Sequence, residues 1–214
     1  MKKYRKLLFS FIILKICSVS LAHGSTPLAA GKTNSLFYVS TDAGLNLASR
    51  LKVPGVTYAG VSYSGPVIHL APGFRYDLSA GYLFKLSDQL NLDSELETGF
   101  IYNNFSDYSE HYIQVPLMAN AVISWHFSPD WSVFAGGGVG CDYSLLSTSI
   151  INGYVIRPDN ENTELDFAWQ AMAEIRYQFG SSEIGLGYKY LAVQPFGWDT
   201  VGNNTIFFPY LFHF

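Results

Sequence analysis

Uncharged, mostly apolar residues occupy every second position through eight stretches of this chain. The first, 35–47, sets Phe37, Val39, Thr41, Ala43, Leu45 and Leu47 against Tyr38, Ser40, Asp42, Gly44 and Asn46. A period of two is that of a β-strand, whose side chains point alternately to opposite faces. The pattern returns at 67–86, with Ile68, Leu70, Phe74, Tyr76 and Phe84 on one face, and at 90–103, 112–127, 131–144, 164–179, 183–193 and 204–214. A soluble sheet can have one dry face and one wet face, but it then needs something to cover the dry one. Almost no apolar helical stretch remains here for that purpose. An uncovered dry face implies an apolar solvent. In a bilayer, the strand structure that satisfies every backbone group is a closed barrel. The expected fold is therefore an all-β, eight-stranded antiparallel up-and-down transmembrane barrel.

Connection lengths give the strands a direction. Ser87-Asp88-Gln89, Ser128-Pro129-Asp130 and Gly180-Ser181-Ser182 make short turns, whereas 48–66, 104–111, 145–163 and 194–203 are long. Outer-membrane barrels have short periplasmic turns and long external loops. With an even strand count, both termini are then expected in the periplasm. On the outward set, Trp125, Phe127, Trp131, Tyr177 and Phe179 gather at the short-turn level, and Phe74, Phe100, Tyr102, Tyr143, Trp169 and Tyr190 at the long-loop level. Aliphatic residues dominate between them. Two aromatic girdles around an aliphatic band match the two interfaces of a bilayer. A lipid-facing Lys or Arg at the midplane would cost about 2–4 kcal/mol, which accounts for their absence there.

The N-terminus reads as a separate unit. Lys2, Lys3, Arg5 and Lys6 precede the apolar run Leu7–Leu14, and Ser20-Leu21-Ala22 offers small residues for cleavage. Residues 1–22 are therefore expected to be a secretory signal peptide, 23–34 a short periplasmic linker, and 35–214 the barrel. Five of the 13 basic residues and none of the 17 acidic ones lie in that signal, so the remaining chain has 8 basic against 17 acidic residues, a net charge of −9. That excess argues against nucleic acid as a partner. Cys17 leaves with the signal, so Cys141 has no cysteine to pair with. Aromatic residues at 16% and charged residues at 14% suit aromatic-rich β-structure.

The ending Tyr210-Leu211-Phe212-His213-Phe214 is similar to the C-terminal signature of outer-membrane barrels, a terminal Phe with aromatic or apolar residues two and four positions earlier. Tyr112–Leu117 and Phe134–Gly140 also look like strand motifs of the porin-family group of OmpA-like or OmpX-like eight-stranded barrels. The resemblance covers roughly 35–214. It implies a Gram-negative-type outer-membrane location, contact with outer-membrane lipid, and recognition of Tyr210, Phe212 and Phe214 by the barrel-assembly machinery. It also implies a structural, adhesive or host-interaction role in a monomer, with no cofactor.

The interleaved face carries the chemistry. Its acids include Asp42, Asp77, Asp93, Glu95, Glu97, Asp142, Glu164, Asp166, Glu174 and Glu183, and its bases are Arg75, Lys85, Arg176 and Lys189. The interior of an eight-stranded barrel is about wide enough for side chains to fill it. A plug of ion pairs is expected, with Arg75 and Arg176 as its cationic hubs, because one guanidinium can hold several carboxylates. The acidic excess also admits a minor cation-preferring pathway. Asp93, Glu95 and Glu97 have carboxylates spaced as in glycoside hydrolysis, but so narrow an interior excludes a sugar chain. His69, His126 and His213 are scattered inward positions without ligand spacing, so no metal site is expected. Small barrels that deacylate lipid A place His and Ser two apart near the external end. His126 and Ser128 fall instead at a short turn, and no catalytic residue is assigned. The loops 48–66 and 145–163 are left as candidate surfaces for a ligand.

Overall fold

A computed structural model describes residues 36–214, apart from 54, 59, 60, 66, 107–109, 148–149, 152–153, 156–161 and 196–198. The expected signal and linker lie outside the described residues. Eight long strands form one closed antiparallel barrel: β1 (Phe37–Ala48), β2 (Gly73–Lys85), β3 (Leu90–Asn104), β4 (His111–His126), β5 (Trp131–Leu146), β6 (Asn162–Phe179), β7 (Ser182–Val193) and β8 (Val201–His213). Each strand pairs with its neighbours in sequence. The ring closes where β1 meets β8, from Tyr38 opposite His213 to Ala48 opposite Asn203. Phe214 N–H donates to the Phe37 carbonyl at 3.3 Å, tying the end of the chain to the start of the barrel.

The alternation seen in the sequence sorts residues between lipid and lumen. Along β4, Gln114, Met118, Asn120, Val122 and Ser124 are buried, while Leu117, Ala119, Ala121, Ile123 and Trp125 are exposed. Large apolar side chains stand out from the wall: Phe167 is 67% exposed, and Leu96, Leu165 and Phe208 are each 65% exposed. A surface this apolar around a polar interior is the reverse of a soluble protein.

Local chemistry sets the short turns. Ser87 Oγ accepts from the backbone N–H of Gln89 and Leu90, at 3.3 and 3.0 Å. Ser128 Oγ accepts from Trp131 N–H at 3.0 Å. Both are serine turns that replace missing ladder bonds. The third turn is one residue tighter than expected, because Ser182 already belongs to β7. Its Gly180 has φ 65°, a left-handed conformation that glycine adopts without a Cβ penalty.

The second stretch departs from expectation. Residues 67–86 do not form one strand. Pro72 has no N–H and restricts the residue before it, so the barrel ladder starts only at Gly73. Above that break Val67–Ile68 pairs with Leu51–Lys52, and Val56–Tyr58 pairs with Val61–Tyr63, giving loop 48–66 one short ribbon of its own and a share in another. Ile68, expected to face outward, is instead buried. Loop 145–163 shortens too, since β5 and β6 extend into it and Ile150–Ile151 pairs with Tyr154–Val155.

Candidate functional site

The lumen is filled by side chains in layers. Its middle is held by Lys189 on β7, whose ammonium lies 3.2 Å from Asp42 Oδ2, 2.9 Å from Asp77 Oδ2 and 2.9 Å from Glu97 Oε2. Arg75 supports the same cluster from β2, donating from Nε to Asp77 Oδ2 at 2.6 Å and from Nη2 to Glu97 Oε1 at 2.8 Å. Register explains the convergence. Asp42 and Asp77 are direct partners across β1 and β2, and Arg75 precedes Asp77 by two residues on the same face. Gln170 extends the network, donating to Glu97 Oε1 at 3.1 Å and to Asn120 Oδ1 at 2.8 Å. Glycines make the room. A Cβ at Gly187 would lie 2.4 Å from the Phe207 ring and one at Gly81 2.2 Å from the Tyr38 ring, so each glycine admits a bulky lumen ring beside it.

A second cluster lies toward the short-turn end. Arg176 Nε donates to Glu174 Oε2 at 2.7 Å, and Nη1 stands 3.7 Å from Glu183 Oε2. Glu183 Oε1 is 2.8 Å from His213 Nε2. The Arg176 guanidinium also covers the Phe134 ring at 4.0 Å. Arg75 and Arg176 therefore gather carboxylates, but Lys189 bridges more of them than either.

Other expected members of the network separate. Glu95 takes neutral donors: Tyr38 OH at 3.2 Å, Ser79 Oγ at 2.9 Å and Asn120 Nδ2 at 2.9 Å. Asp93 is met by Ser124 Oγ at 3.5 Å. Asn120 Nδ2 also donates to Glu97 Oε2 at 3.2 Å, so Glu95 and Glu97 share one neutral donor while Asp93 does not. Lys85 and Glu164, expected inside, are exposed; Lys85 reaches Asp88 in its turn at 2.9 Å. His69 is exposed and belongs to no barrel strand. His126 is half-buried, with Nδ1 3.4 Å from Asn91 Nδ2, while Ser128 serves its turn. Carboxylate oxygens of Asp42, Asp77 and Glu97 lie within 4.8 Å of one another, close enough for a cation, but the cation among them is the Lys189 ammonium.

A feature with no place in the sequence reading closes the long-loop end. Leu51, Ile68, Phe105, Tyr112, Leu146 and Val201 form a buried apolar cluster, and Ile101, Met118, Ala168, Leu191 and Val193 form another. Ile101, Met118, Ala168, Leu191 and Val193 are apolar residues on the wet side of the alternation, whereas Leu51, Phe105 and Val201 lie in the long loops and Ile68 on the expected outward face. Trp125, Phe127, Trp131, Tyr177 and Phe179 face outward at the short-turn end, 38–49% exposed. Trp131 and Tyr177 rings meet at 5.1 Å. Tyr210, Phe212 and Phe214 also face outward.

A closed ring of eight antiparallel strands, charged within and apolar without, is the fold of the small outer-membrane β-barrel proteins. No family model matches the chain, and no curated protein matches it. Among solved structures, the chain is similar to Neisserial surface protein A, with TM-score 0.56, 16% identity, and coverage of 84% of this chain and 98% of that one. It also aligns with the outer membrane protein OprG from Pseudomonas aeruginosa, at TM-score 0.49 and 9% identity over 84% of this chain and 97% of that one. The attachment invasion locus protein Ail of Yersinia pestis, solved with the heparin analogue sucrose octasulfate, aligns at TM-score 0.43 and 12% identity over 82% and 99%. The first likeness establishes the fold and nothing narrower.

Replacing Lys189 by Met leaves Asp42, Asp77 and Glu97 gathered without their bridging ammonium. The unfolding free energy, read by urea titration in lipid vesicles, should fall by about 3–5 kcal/mol. A loss below about 1 kcal/mol, the scale of a surface ion pair, would contradict the central role given to this residue.

Proposed function

We propose that this protein is an integral outer-membrane barrel with a sealed lumen and a structural or surface-interaction role, presenting its long-loop end outside the cell. The observation that carries this reading is the apolar cap over the long-loop end of the lumen. Water and ions crossing that level would lose their hydration among aliphatic and aromatic side chains, with ion-pair networks filling the space beneath. The short ribbons within 51–68 and 150–155 extend β-structure past the barrel rim, where an adhesin-like contact would be made. The alternation of outward Tyr210, Phe212 and Phe214 with inward Leu211 and His213 supports the C-terminal strand as the segment read by the assembly machinery. The outward band supports a monomer whose main partner is outer-membrane lipid. The rival reading, a minor cation-preferring channel, is favoured by the lumen's acidity: among the described residues, eight buried carboxylates face three buried Lys or Arg side chains.

Planar-bilayer recordings separate the two readings. The sealed barrel should give no stable unit current, whereas a discrete cation-selective step would establish the channel. Orientation has its own check in two exposed lysines at opposite ends, Lys52 with a side chain 49% exposed and Lys85 with one 60% exposed. A membrane-impermeant amine reagent applied to intact cells should label Lys52 and spare Lys85. The reverse pattern would invert the assignment of sides.

A further inference from the structure

We propose that a groove in the lipid-facing wall of β1 to β4 holds one acyl chain of a glycerophospholipid from the periplasmic leaflet, with an ester carbonyl of that lipid accepting from the Ser94 hydroxyl. This site specifies the outer-membrane lipid already proposed as the main partner, and its leaflet rests on the orientation proposed with it. The groove has a volume of about 280 Å³. Small residues line its floor, Ala80 on β2, Ser94 on β3 and Ala119 on β4, and the larger Phe37, Tyr82 and Leu96 stand around it.

Register orders these residues by height. Tyr82 is the direct partner of both Phe37 and Ser94, and the Phe37 and Tyr82 rings meet edge to face with centroids 4.7 Å apart. One step farther from the short turns, Leu96 is the direct partner of both Ala80 and Ala119. The groove therefore starts between interfacial rings near the short-turn end and runs toward the middle of the bilayer. A phospholipid has the same polarity along its length, with its esters at the level of interfacial aromatic rings and its chains running inward from there.

Ser94 supplies the polar contact. Other outward hydroxyls find acceptors in the wall itself: Thr41 Oγ1 donates to the Asp77 carbonyl at 3.3 Å, and Thr98 Oγ1 to the Pro116 carbonyl at 3.0 Å. Ser94 is exposed on the same side and makes no such bond among the described residues. A hydroxyl turned toward hydrocarbon is costly until it finds an acceptor, and an ester carbonyl at the same depth is one. The groove is continuous with the wall that meets lipid, so its occupant comes from the bilayer. Lipid tails are as apolar as the wall, so the closeness of packing decides where a chain rests, and a groove contacts it on more sides than a flat strand face does. The short-turn end faces the periplasm in the proposed orientation, and glycerophospholipid is the lipid of that leaflet.

Photolabelling tests the site. The protein, purified folded from the outer membrane, is reconstituted in phosphatidylethanolamine vesicles with a trace of phosphatidylethanolamine carrying a diazirine on one acyl chain. Cross-links should concentrate at residues 80, 96 and 119 relative to Ala173, an outward residue of β6 away from the groove. Ala119→Phe, which fills the groove, should abolish that concentration, and Ala173→Phe should leave it unchanged. Ser94→Ala should lower it about threefold or more, the scale of one lost hydrogen bond, and Ser94→Thr should keep it. Heat-modifiable gel migration reports folding of each variant, and the wild-type distribution decides alone if a variant does not fold. Even labelling around the wall would overturn the site. Selective loss of groove labelling when half of the vesicle lipid is lipid A, or when the density of barrels rises, would give the groove to lipid A or to a second copy and overturn it as well. The probe occupies both leaflets of the vesicle, so the outcome is independent of sidedness, which the lysine labelling reads separately.

Discussion

The rest of this structure depends on one constraint: where no water is available, every backbone N–H and C=O must find its partner in the chain itself. A sheet with free edges cannot meet that condition in a bilayer, whereas a closed ring can. The join between β1 and β8 is therefore the structural centre of the fold, although its residues lie at opposite ends of the barrel sequence. Two prolines show how closely the condition is kept. The β3–β4 ladder is interrupted between Thr98–Leu117 and Ile101–Gln114, beside Pro116, and the β7–β8 ladder between Ile184–Tyr210 and Gly187–Phe207, beside Pro209. A proline has no N–H to offer, so each break falls where one donor is missing. At the first, Thr98 Oγ1 donates to the Pro116 carbonyl at 3.0 Å and keeps that acceptor satisfied.

Closure turns the usual arrangement inside out and makes the lumen the place for charge. Buried ion pairs contribute little net stability, because desolvation offsets most of their attraction. Their stronger effect here is on register. A slip of one residue would carry every inward side chain of a strand to the outside. Lys189, Arg75 and Arg176 would then face lipid, at about 2–4 kcal/mol each near the midplane. The network around Lys189 and the aliphatic band outside it thus select the same register from opposite sides of the wall.

How much of this was legible in the sequence follows from which forces are local. Alternation along β4 is a property of the strand and of its two solvents, so its inward and outward residues could be assigned from the chain alone. The same holds for the short turns, where Ser87 and Ser128 act on residues two or three positions away. Lys189 as the bridge was not legible, because its three carboxylates come from β1, β2 and β3, and only the closed ring brings β7 across to them. The cap was hidden for a related reason. Ile68 belonged to the outward alternation by position, but Pro72 cut the strand below it and freed it to turn inward. Glu164 and Lys85 kept lumen-side parity, yet each lies near a barrel rim, where solvent reaches a charged side chain.

The central claim is that the two faces of each strand meet lipid and a packed lumen, and spin labels placed singly at residues 117–123 of β4 test it most directly. In vesicles, labels at 117, 119, 121 and 123 should be relaxed strongly by oxygen and weakly by a polar nickel chelate, while those at 118, 120 and 122 should be reached poorly by both. Strong access of the nickel chelate to the odd positions would mean that this face meets water, and the account would fail.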